Sequence, residues 1–206
     1  MRRPFSSVLA VLIVPLVLLS GCGSDPKAPD TTAPPGFTVF KDDKAGFAVA
    51  IPADWQKVPL TDDLTDFNKT ANRLRLENPN LGTAMVLARI VAQAGGRLFA
   101  VDHDGTSSVN LTVDKAREKS IDEVVATIKP ALTGAGATDL TDEAIILPAG
   151  PAARLRFKLP VQTDEGPVVV DEVQYYLLKD GSLSILTVVA SDLGLATTIA
   201  ESLRIR

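Results

Sequence analysis

Val168-Val169-Val170-Asp171-Glu172-Val173-Gln174-Tyr175-Tyr176-Leu177-Leu178-Lys179, then Asp180-Gly181, then Leu183 to Ala190, is the stretch that decides the fold. Two runs rich in β-branched and aromatic residues flank an Asp-Gly pair. Asp-Gly suits the two left-handed positions of a tight hairpin turn, so the runs predict two antiparallel strands. Upstream, Ala153, Leu155 and Phe157 alternate with Arg154, Arg156 and Lys158, a strand with one basic face. Ala144 to Leu147 predicts a further strand. Hairpins thus dominate the second half, and the sheet is expected to be mostly antiparallel.

The first half of the domain alternates strands with helices. Phe37 to Lys41 predicts a strand, Asp42 to Gly46 a turn, and Phe47, Val49 and Ile51 a half-buried second strand ended by Pro52. Trp55, the only tryptophan, follows and is expected to be a packing residue rather than a stacking platform. Leu64, Phe67, Ala71 and Leu74 fall at helical spacing behind Asp62 and Asp63. Asn78-Pro79 then reads as a cap followed by a helical proline. The run Leu81 to Ala94 is apolar nearly all round, with only Arg89 and Gln93 strongly polar, and Gly95-Gly96 ends it. Such a helix is usually buried. It can instead be a lid whose apolar inner face lines a lipid-binding cavity, and the sequence leaves both readings open.

Leu98 to Val101 and Val109, Leu111 and Val113 predict two more strands. Ser120 and Glu123 form a capping box for a helix through Ile121, Val124, Val125, Ile128 and Leu132, disturbed near Pro130 and finished by Gly134 and Gly136. Asp192 caps a last helix through Leu193, Ala196, Ile199, Ala200 and Leu203. The predicted class is therefore α+β: a mostly antiparallel sheet with helices packed on its faces.

Residues 1–36 precede this domain, which spans 37–206. Arg2 and Arg3 form a charged start, Val8 to Leu19 an apolar run broken only by Pro15, and Ser20-Gly21 a pair of small residues before Cys22. That order is a secretory signal, and the run falls short of the roughly 20 residues a spanning helix needs. Leu19-Ser20-Gly21-Cys22 resembles the lipobox of bacterial lipoproteins. The resemblance implies cleavage between Gly21 and Cys22, a diacylglycerol and a fatty acyl group such as palmitate on Cys22, and a chain held at the outer face of the cell membrane. Cys22 is the only cysteine, so it has no disulfide partner. Two or more acyl chains meet the condition for stable anchoring. Arg2-Arg3-Pro4-Phe5 also resembles a twin-arginine export signal. Residues 22–36 are expected to form a disordered proline-rich tether, able to hold the domain about 40 Å from the bilayer at about 3.1 Å per residue.

Composition bounds the partners. The chain carries a net charge of −4, and loss of residues 1–21, which hold Arg2 and Arg3 and no acid, makes it −6. An acidic chain argues against nucleic acid, which wants a basic patch, and against adhesion to anionic headgroups by charge alone. No cofactor motif is found. Asp102-His103-Asp104-Gly105 holds the only histidine, but adjacent loop residues do not converge on one ion, so a polar turn is expected and no metal site. The row Arg154, Arg156 and Lys158 is either an anion contact or a solvated face paired with acids such as Asp171 and Glu172.

A second resemblance covers the two ends of the domain. Phe40, Gly46-Phe47-Ala48-Val49 and Ile51-Pro52-Ala53-Asp54-Trp55, with the strand pair around Asp180-Gly181 and the close Ile199 to Ile205, resemble PsbP-like domains. The layout of lipobox, tether and one such domain is similar to actinobacterial lipoproteins of the LpqN/LpqT type. This implies a non-catalytic binding or accessory module for a protein partner or a lipid-like ligand. The alternative is a cell-envelope hydrolase, for which the chain lacks a G-x-S-x-G elbow and offers one histidine. Cys22→Ser should move the protein from the membrane fraction to the soluble fraction of an expressing bacterium and abolish the acyl mass increment. Unchanged membrane retention of the variant would refute the anchor.

Overall fold

Asp180 and Gly181 take the left-handed conformation at φ 49° and 75°, as a two-residue hairpin turn requires. They join β8 (Gly166–Lys179) to β9 (Ser182–Val189) in antiparallel register, with Lys179 opposite Ser182 and Glu172 opposite Val189. The structure is a computed structural model and describes residues 27–60, 63–163 and 166–206. The signal segment, Gly21 and Cys22 lie outside the described residues.

The hairpin sits in a seven-stranded antiparallel sheet. To one side of it lie β5 (Ser108–Lys115), β4 (Leu98–Val101) and β3 (Gln56–Lys57); to the other lie β7 (Gly150–Thr163) and β6 (Thr138–Leu147). A second sheet of three strands joins the chain ends: β1 (Phe37–Asp42), β2 (Phe47–Pro52) and β10 (Arg204–Ile205), with β2 central. Four helices complete the α+β fold: α1 (Leu64–Glu77), α2 (Gly82–Gln93), α3 (Ile121–Gly134) and α4 (Leu193–Ser202).

Side-chain alternation gives the large sheet two different faces. On one, Val109, Leu111, Val173, Tyr175, Leu186 and Val188 form the main core with Phe47, Val49 and Ile51 of β2 and with Ile199 and Leu203. Trp55 belongs to this core, as a packing residue. On the other face, α1 and α2 cover Phe99 and Val101 of β4, while α3 covers Ala153, Leu155, Phe157 and Tyr176 at the opposite end. The middle of that face lies between these two helical clusters.

Local signals act as expected at the helix starts. Asp63 accepts from Thr65 N at 2.7 Å, Ser120 from Glu123 N at 3.2 Å and Asp192 from Gly194 N at 2.7 Å. Asn78 caps a short 3₁₀ turn, Pro79–Leu81, rather than α2 directly. The 102–105 turn seats on that 3₁₀ turn: Asn78 donates to the His103 carbonyl at 2.7 Å, and a Cβ at Gly105 (φ 71°) would lie 2.2 Å from the Asn80 oxygen.

Several expectations are corrected. β2 is buried at every position rather than half-buried, because β1 and β10 flank it and α4 packs against it. β6 begins at Thr138, well before Ala144; its early residues are polar and exposed on a sheet edge, so no hydrophobic alternation marks them. α3 runs through Pro130 to Gly134; the proline is exposed, where water can take the carbonyl left without a donor. α2 is buried along one face only, through Ala84, Met85, Ala88 and Val91, while Ile90 is 53% exposed.

The expected tether is also not wholly free of the domain. Ala28 is buried and its N–H donates to Asp43 at 2.7 Å, Lys41 pairs with Asp30 at 2.5 Å, and Thr31 donates to the Ser202 carbonyl at 2.7 Å. The segment finds acceptors in the β1–β2 turn and at the end of α4, which its proline content does not prevent. Ser202 is also the plug of the small sheet. Its Oγ accepts from Ala50 N at 2.8 Å, on the edge of β2 that β10 leaves open, and donates to the Ile199 carbonyl at 2.7 Å. Ser202→Ala should leave the buried Ala50 N–H without a partner and cost about 1–3 kcal/mol in urea unfolding. A loss below a few tenths would show that the edge does not depend on this hydroxyl.

Candidate functional site

The uncovered middle of the helical face is a groove of about 450 Å³. Its floor is the sheet: Asn110 and Thr112 of β5, Ile185, Thr187 and Val189 of β9, and Glu172 and Gln174 of β8. Leu87, Ile90, Val91 and Ala94 make one wall. These belong to the apolar helix and the residue that caps it, so this segment does line a cavity. Leu159, Pro160, Val161 and Gln162 of β7 make the other wall.

Strand length creates that second wall. β7 and β8 each hold 14 residues, but β9 holds 8 and its ladder with β8 stops at Glu172 opposite Val189. Residues 166–170 then pair with β7 alone. The outer part of this ribbon reaches α2, where Thr163 lines a smaller cleft with Thr83 and Val86.

Walls and floor differ in chemistry. The walls are aliphatic apart from Gln162. The floor carries a row of polar groups set by register: Asn110 opposite Thr187 opposite Gln174, with Glu172 one alternation further along β8. Glu172 is 6% exposed. Gln174 Nε2 donates to its Oε2 at 3.0 Å, and the Tyr176 hydroxyl donates to Gln174 Oε1. The second carboxyl oxygen of Glu172 has no partner among the described residues. Burial pushes Glu172 up to about 7, partly offset by the bond from Gln174. Burial, reinforced by the neighbouring Glu172 charge, pushes the Tyr176 hydroxyl up as well, so it stays protonated.

The basic row lies on the opposite face of the sheet. Arg154 pairs with Glu143 at 2.5 Å and Lys158 with Asp139 at 3.0 Å, both acids on β6. The Asp139 bond first, then the charges of Asp139 and Asp171, hold Lys158 above its ordinary range. Arg156 is exposed and makes no ion pair among the described residues. The expected partner Glu172 is absent from this row, because adjacent strand residues point to opposite faces: Asp171 lies opposite Lys158, and Glu172 opposite Phe157. Arg156 and Lys158 line a cleft of about 380 Å³ together with Asp139 and Asp171, so its charges are mixed. His103 is exposed in its turn, and the Asp102 carboxylate is engaged by Thr106 N at 2.9 Å and Thr106 Oγ1 at 3.0 Å.

Glu172 is the residue that sequence reading placed on the wrong surface. The signal was present. An Asp-Gly turn sets Lys179 against Ser182, and counting back along the ladder puts Glu172, Gln174 and Tyr176 on one face with Ile185, Thr187 and Val189.

Compared with known proteins, the chain matches no family model and no curated sequence. Among solved structures it is similar to cyanobacterial PsbP (CyanoP) from Synechocystis sp. PCC 6803, at 12% identity, with a TM-score of 0.51 and coverage of 94% of this chain and 100% of that one. The fold is PsbP-like. LpqN of Mycobacterium tuberculosis, described as involved in cell envelope biogenesis, also aligns, at 12% identity with a TM-score of 0.43 over 85% of this chain and 89% of that one. The expected antiparallel sheet and four helices are present in this PsbP-like fold, which adds a second sheet of three strands, and the groove is the feature they leave open.

The raised Glu172 sets a pH dependence. Its pKa goes from 4.5 to about 7 on folding. Between these values the folded chain holds a proton that the unfolded chain has released, so stability falls as pH rises through that window, by roughly 3 kcal/mol in total. Glu172→Gln stays neutral and should flatten the fall between pH 5 and pH 8 in urea titrations. An equally steep fall in the variant would exclude Glu172 as its source.

Proposed function

We propose that this chain is a non-catalytic binding module, held by a lipid on Cys22 at the outer face of a cell membrane, that accommodates the apolar chain of a lipid-like ligand between α2 and the sheet. The groove carries this reading. Aliphatic side chains that a soluble helix would ordinarily bury stand along an open cavity with a polar floor, the composition of a small-molecule site. Ile90 at its rim leaves apolar area that a ligand would cover. The PsbP-like fold supports an accessory role over catalysis only as a likeness of architecture. An anchored domain close to the bilayer would meet such ligands at high local concentration.

Ala94 is exposed and lines the groove, so a large side chain there blocks the cavity without disturbing the core. N-phenyl-1-naphthylamine should brighten on binding the wild-type domain, and Ala94→Trp should weaken that binding at least about tenfold. Equal brightening by both proteins would place the probe elsewhere and remove the groove from the account.

A further inference from the structure

Resting on the groove reading above, we infer that the site selects an amphiphile with a cationic amine head, which Glu172 holds at the polar floor while the aliphatic walls take the tail. Glu172 is 6% exposed and lines the cavity. One of its oxygens accepts from Gln174, and the other has no partner among the described residues. The residues lining the groove include no lysine, arginine or histidine. The basic row is on the far face of the sheet, where Arg154 and Lys158 pair with acids of β6.

A buried carboxylate without a counter-charge is costly, and a ligand that brings the charge removes that cost. An ammonium is also matched in hydrogen bonding. It offers three donors and no acceptor. The free Glu172 oxygen, Asn110 Oδ1 and Thr187 Oγ1 are acceptors on one floor, and the Asn110 and Thr187 side chains make no hydrogen bond among the described residues, though they are only 9% and 7% exposed. An anionic head would set like charge against Glu172. A hydroxyl would gain only a neutral hydrogen bond, the weaker kind.

The titration of Glu172 gives the pH behaviour. From the elements packed around it come Phe157 of β7, Val189 of β9 and Val91 of α2, all apolar. Among the described residues Tyr176 is the one other titratable group coupled to it, and that hydroxyl is committed to Gln174 and stays protonated. Amine binding therefore strengthens as Glu172 loses its proton, around pH 7. Binding below that pH releases the proton to solvent while the ligand stays an ammonium.

Titration calorimetry with octylammonium, octanol and octanoate, on the full chain at pH 6 and pH 8, tests this. Octylammonium should bind about tenfold or more tighter than octanol at pH 8, octanoate weakest, and the amine preference should shrink at pH 6. In Glu172→Gln, octylammonium should fall to the level at which that variant binds octanol. Octanol or octanoate binding as tightly as octylammonium in the wild type would overturn the amine inference and leave the groove reading standing. Binding of none of the three would overturn both.

Discussion

Two backbone angles at Asp180 and Gly181 hold the β8–β9 register, and most of the molecule depends on that register. Because side chains alternate along a strand, a slip of one residue would turn one strand of the hairpin over. On β8, Val173 and Tyr175 would leave the main core, and Glu172 and Gln174 would enter it. The main-core face packs Val173, Tyr175, Leu186 and Val188 against the small sheet and α4, and the groove face has room for polar groups.

The groove follows from unequal strand lengths on that fixed register. The β7–β8 ribbon outruns β9 and reaches α2, while α3 covers only the far end of the sheet. What lies between is a strip of sheet that no described element covers. Placing Glu172 there costs stability at neutral pH, since no described residue neutralises it. Fold stability alone would favour an apolar residue at this position, and a cost of that kind is common at functional sites.

Both ends of the domain close on the same sheet. β10 and Ser202 complete the edge of β2, and the segment from Ala28 to Thr31 lies against the β1–β2 turn and the end of α4. The start of the domain and its last helix are thus tied through few hydrogen bonds, each with one buried or half-buried partner. Part of the expected tether is therefore docked on the domain.

The sequence by itself determined most of the strands, three of the four helix starts and the antiparallel class, because these rest on local chemistry: alternation, capping side chains and an Asp-Gly turn. It also determined the export and anchoring expectation, which rests on the order of charge, apolar run and cysteine. Tertiary structure alone decided three things. β2 is buried at every position because the far end of the chain returns to it, β10 pairing with its edge and α4 packing against it. Leu81 to Ala94 is half core and half cavity wall because the β7–β8 ribbon approaches α2 without touching it along its length. Glu172 is a buried groove residue and not a surface partner of Lys158, because facing is set by cross-strand register, which joins residues far apart in the chain and leaves no mark on the sequence around any one of them.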